Sequence, residues 1–97
     1  MVASTLFSKF VIVSDYIELG ALSSNVSGYT SKQVTLPTGY KSKFIIEVAT
    51  NRPAVVNGKI MLNATISETG LAYFMYHTFD NISADNSHID FKILCEK

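Results

Sequence analysis

Residues able to do chemistry are few in this chain, and most of them crowd one stretch: Asp80, Asn81, Asp85, Asn86, His88 and Asp90. Asp and Asn oxygens are the ligands that Ca²⁺ prefers. The spacing is not that of a calcium-binding EF-hand loop, which needs acids at alternate positions and a glycine at the sixth. Turns collect the same residues for backbone reasons, so no metal is expected and residues 80–87 read as a polar loop. Asp80, Asn81, Asp85 and Asn86 remain candidates for contacting a ligand. His77 and His88 are the only histidines. His77 falls in an apolar run, where a hydrogen-bonded structural imidazole is the ordinary role. A nucleophile would need a base and an orienting third group, and neither a Gly-x-Ser-x-Gly elbow nor a Cys/His pairing is present. Glu18, Glu47 and Glu68 lie on separate segments. The chain therefore reads as non-enzymatic, with no cofactor.

Cys95 is the single cysteine, which excludes an intrachain disulfide and zinc sites built on paired cysteines. Its place near the C-terminus suits a half-buried strand residue. Tyr29 and Tyr40 fall in stretches that read as loops and are the aromatics best placed to stack on a sugar ring. Asn25, Asn63 and Asn81 each open an Asn-x-Ser/Thr pattern. Without a secretory leader, which the residues before Leu6 do not resemble, that pattern reflects an Asn-, Ser- and Thr-rich composition.

The elements that must position these groups are read from turn signals and alternation. Residues 54–79 organise the chain as a β-meander. Asn57-Gly58 suits a two-residue hairpin, and Ser67-Glu68-Thr69-Gly70 suits a longer turn with Gly70 as its left-handed residue. Before it, residues 1–5 read as a loose arm, 6–13 as a strand, Ser14-Asp15 as a turn, and 16–22 as a second strand with a capped helix as the competing reading. Residues 23–32 read as a polar loop and 33–36 as a short strand ended by Pro37. In 43–50, Phe44, Ile46 and Val48 are expected to share a face. The last strand, 88–96, places Ile89, Phe91, Ile93 and Cys95 inward.

Short strands at regular intervals predict an all-β protein: an antiparallel β-sandwich or small barrel of about six to eight strands in one domain spanning 1–97. In the strand 71–79 both faces are apolar, with Leu71, Tyr73 and Met75 on one and Ala72, Phe74 and Tyr76 on the other. A sandwich buries only one, so the second is expected to be covered by another subunit, and Ala72, Phe74 and Tyr76 are the candidate interface. The chain has 97 residues, 47% of them hydrophobic and 16% charged, with eight basic and eight acidic groups. That balance offers no footprint for nucleic acid or anionic lipid, and no run is long enough for a membrane helix.

From Gln33 onward the order of parts resembles the C-terminal β-sandwich knob of bacteriophage tail fibres and the similar H-type lectin domains. The carriers are Val34-Thr-Leu-Pro37 leading through Tyr40 into Phe44-Ile-Ile-Glu-Val48, then Thr69-Gly70-Leu71-Ala-Tyr-Phe74, and a closing Ile89-Asp-Phe-Lys-Ile-Leu94. Those families close near Trp-x-Ala, whereas this chain has Asp90-Phe91-Lys92 there and no tryptophan. The resemblance implies an antiparallel β-sandwich that is jelly-roll or H-type lectin-like, and a homo-oligomer, favouring a trimer, that binds host-surface glycans. It leads to the expectation of a bacteriophage virion structural protein, made in the host cytoplasm, in a tail fibre, baseplate or capsid decoration. Residues 1–13 would attach it to other virion proteins. A carbohydrate-binding, lectin-like module is the alternative.

Overall fold

A computed structural model of the chain describes residues 2–6, 9–51, 60–79 and 83–97, with side chains for 9–49, 62–79 and 87–97. The Asn57-Gly58 hairpin expected from sequence lies outside the described residues. Seven strands are present among them and no helix: β1 (Val2–Leu6), β2 (Phe10–Ser23), β3 (Ser27–Gln33), β4 (Lys41–Asn51), β5 (Ile60–Ile66), β6 (Leu71–Thr78) and β7 (Ser83–Glu96). Every pairing is antiparallel. One sheet has the order β1-β2-β7-β4 and the other β3-β6-β5. β2 pairs with β7 and β3 with β6, while β4 and β5 lie against each other across the two sheets. The chain is thus a long hairpin rolled up until β4 meets β7, which is the winding of a jelly roll. The fold is the antiparallel β-sandwich that the sequence predicts.

Alternation builds the core. Val11 and Val13 of β2 and Ile89, Phe91, Ile93 and Cys95 of β7 point inward from the four-stranded sheet and meet Val34, Ala72 and Phe74 from the other side. The Phe74 and Phe91 rings touch at a centroid distance of 4.9 Å. Burying one such side chain contributes about 1.5–3 kcal/mol. Cys95 is fully buried rather than half-buried, and that burial pushes its thiol pKa up.

Several local expectations are corrected. Residues 2–6 are a paired strand, not a loose arm, and residues 10–13 belong to β2. Ser14-Asp15 does not turn, because β2 runs on in register with β7. Asp15 points inward and receives Lys32 Nζ of β3 at 2.9 Å, while the same ammonium donates to the Tyr16 carbonyl at 2.8 Å. A carboxylate that bridges the two sheets has no reason to start a turn. The turn comes at Ser24-Asn25, where Asn25 has φ 56°. Thr78 Oγ1 pins it by donating to the Ser23 carbonyl at 2.6 Å and accepting from Val26 N–H at 2.8 Å.

Residues 27–32, expected as loop, are strand β3 together with Gln33, and 34–36, expected to continue a strand from Gln33, lie beyond its end. β7 starts at Ser83, inside the expected 80–87 loop. In β4, register shifts flank Ile45. They separate outward Phe44 and Ile46 from Val48, which packs on the core with Ile45. Gly70 takes φ 93°, as its turn requires.

Candidate functional site

The outer face of the three-stranded sheet is where unburied aromatic and hydrogen-bonding groups converge. Alternation along β3 turns Ser27, Tyr29, Ser31 and Gln33 outward. Register then sets them in rows across the sheet. Tyr29 stands opposite Met75, which stands opposite Asn63, and Ser31 stands opposite Tyr73, which stands opposite Thr65. Side chains directly opposite in antiparallel strands lie about 4.5–5.5 Å apart at Cβ, so each row is one contact surface. Tyr29 is 78% exposed and Met75 55%.

Two shallow recesses lie on this face. A groove of about 440 Å³ is lined by Ser27, Gly28, Tyr29, Asn63, Met75, Tyr76 and His77. A smaller one of about 240 Å³ shares Tyr29, Asn63 and Met75 with it and adds Thr65 and Tyr73. The first falls in the range of small-ligand sites, about 300–1,000 Å³. Gly28 makes room for the Tyr76 ring: a Cβ there would lie 2.5 Å from the Tyr76 hydroxyl oxygen, so the phenol occupies the space that a side chain would take. At the far end His77 Nδ1 and Ser27 Oγ are 2.7 Å apart, and the imidazole meets Phe79 edge-on at 4.8 Å. His77 is thus held by a hydroxyl and a ring, the structural role expected of it. None of the five ion pairs among the described residues lies on this face.

The arrangement can hold a neutral, hydroxyl-rich ligand. Exposed rings offer flat apolar surface to the C–H face of a pyranose, and the Asn63 amide with the Ser and Thr hydroxyls can meet its oxygens.

Of the expected contact residues, only Tyr29 belongs to this site. Tyr40 is half-buried and packs on the core, so it is not a free loop aromatic. Asp80 and Asn81 lie outside the described residues. Asp85 and Asn86 fall in β7 opposite the bulge at Gly20. The expected interface on β6 is also corrected. Ala72 and Phe74 are 0% exposed and form the core, so no subunit can reach them. Tyr76, on the same side of the strand, is half-buried at the groove. The free face of β6 is the other one, with Tyr73 and Met75. Sequence reasoning missed Ser27, Asn63 and Thr65 as site residues. The Ser-x-Tyr-x-Ser alternation of 27–31 was the available signal, hidden because the stretch is too polar to read as a strand.

A third recess, polar and about 90 Å³, lies between Glu18, Gly20, Ser87 and His88. His88 Nε2 sits 3.4 Å from Asp90 Oδ2, but buried Ser87 Oγ has no hydrogen-bond partner among the described residues. Imidazole and hydroxyl are not coupled as a nucleophile and base would be. Among the described residues no three His, Cys, Asp or Glu side chains group as metal ligands.

Comparison of the chain with protein-family models, curated proteins and solved structures finds no match in any of the three.

Proposed function

We propose that this chain is a non-enzymatic structural protein of a bacteriophage particle, assembling as a homo-oligomer and contacting a host-surface glycan through the outer face of its three-stranded sheet. The observation that carries the contact is the pair of rows Tyr29–Met75–Asn63 and Ser31–Tyr73–Thr65, which interleave exposed rings with hydroxyl and amide groups on an uncharged surface. The particle assignment rests on the resemblance of residues 33–94 to tail-fibre knobs and on the jelly-roll winding. A fold alone does not define a function. The same rows favour a second reading, a lectin-like module outside any virion, which binds the same ligand class without assembling.

The test is binding of the purified protein to a panel of immobilised hexose and N-acetylhexosamine oligosaccharides, with wild type beside Tyr29→Ala and Tyr73→Ala. The proposal expects retention on at least one glycan, weakened about tenfold or more by either substitution, since one stacked ring contributes about 1–3 kcal/mol by analogy with aromatic stacking on bases. Absence of retention across the panel would remove the glycan contact.

A further inference from the structure

The outer face of the four-stranded sheet carries a different chemistry. Phe44 is 64% exposed and Ile46 47%. Register places Ile12 opposite Leu94 and Leu94 opposite Phe44, giving one apolar row across β2, β7 and β4. On one side of that row Glu96 stands opposite Lys41. On the other, Lys92 stands opposite Glu47. The order of charge is reversed between the two flanking rows: acid on β7 and base on β4 above, base on β7 and acid on β4 below.

A surface with that reversal is complementary to itself. If a second copy is turned by 180° about an axis lying along the apolar row, each column is retained and the two flanking rows exchange. Glu96 of one copy then faces Lys92 of the other, Lys41 faces Glu47, and the apolar row faces itself. An isologous interface requires this self-complementarity. We propose that this face packs against the same face of a second copy of the chain, about a two-fold axis along Ile12–Leu94–Phe44.

Within one chain, Lys92 reaches Glu47 at 3.7 Å and Lys43 reaches Glu96 at 3.6 Å. Exposed pairs of this kind contribute little alone. Lys9 also reaches Glu96, at 3.6 Å; between two copies these pairs join into mixed-charge clusters screened from water, which fix the register. The outer face of the three-stranded sheet carries no comparable charge pattern among the described residues. This inference rests on the assembly part of the proposed function, and the glycan face lies on the opposite sheet, so the two can fail separately.

Sedimentation equilibrium of the full chain provides the test. Wild type is expected at twice the 10.7 kDa chain mass. Lys92→Glu would set acid against acid in the pair of copies, and Glu96→Lys base against base. Each is expected to weaken self-association about tenfold or more. In a mixture of the two variants, the acidic pair of one copy faces the basic pair of the other at both contacts, and a dimer of wild-type affinity should return. Phe44→Ser, at an exposed position, should weaken association while leaving unchanged the unfolding midpoint measured at protein concentrations low enough for both chains to be monomeric. A wild-type monomer at about millimolar concentration, a trimer, or two variants that stay monomeric when mixed would each overturn the proposal.

Discussion

On the outer face of the three-stranded sheet Tyr29, Tyr73 and Met75 stand among Ser31, Asn63 and Thr65, and no ion pair of the described residues is there. On the outer face of the four-stranded sheet Phe44 and Ile46 stand among Lys41, Lys92, Glu47 and Glu96. Both expose large apolar side chains, yet their polar partners differ in kind. Hydroxyl and amide groups around rings suit a neutral polyol, whose oxygens need many weak, directional partners. Paired charges around an apolar row suit a protein surface, where electrostatic complementarity sets register. One sandwich can therefore present two faces with two uses. In the proposed dimer the glycan faces would point away from each other, making the assembly bivalent.

The substitution that breaks the comparison most completely is Phe74→Ala, because that ring lies between the two faces and supports both. A cost of about 3–5 kcal/mol is expected, read as a lower denaturation midpoint in urea, with both binding activities lost together.

Gly70→Ala comes next. Its φ of 93° is strained for any side chain, and a Cβ would sit 2.6 Å from the Val34 carbonyl oxygen, so about 2–3 kcal/mol should be lost. The damage lies at the turn joining β5 to β6. Proteolytic nicking should therefore rise near residues 67–70, and glycan retention should suffer before self-association does.

Thr78→Val removes the hydroxyl that pins the turn between β2 and β3, leaving Val26 N–H without its partner. A loss of about 1–3 kcal/mol is expected, measured by urea unfolding.

The smallest effect concerns pH. Burial raises the Cys95 pKa in the folded chain, so above the ordinary thiol value of about 8.5 the unfolded chain gives up a proton that the folded one keeps. Stability contributed by the neutral thiol is then lost as pH rises. The unfolding midpoint should fall between neutral and alkaline pH, and Cys95→Ala should flatten that slope.

How much of this was legible depends on the strand. From His88 onward β7 could be read residue by residue, since Ile89, Phe91, Ile93 and Cys95 alternate with Asp90, Lys92 and Leu94 and the burial follows. The turn at Gly70 was legible because its conformation demands glycine. β3 was not: Ser-Gly-Tyr-Thr-Ser-Lys-Gln has no apolar face, and it is a strand because it pairs along its whole length with β6. The bulges around Ile45 were equally hidden, and they alone decide that Val48 leaves the face of Phe44. For β6 the sequence showed two apolar faces and could not say which the second sheet covers. That choice put Ala72 and Phe74 in the core and freed Tyr73 and Met75.

The most direct test of two separate faces is a solution titration with a soluble oligosaccharide selected from the immobilised panel, comparing wild type, Tyr29→Ala and Phe44→Ser. Using a single soluble ligand removes avidity, so self-association cannot mimic site affinity. The account predicts that Phe44→Ser keeps the wild-type dissociation constant while Tyr29→Ala weakens it about tenfold or more. Equal loss in both variants, or loss in Phe44→Ser alone, would contradict it.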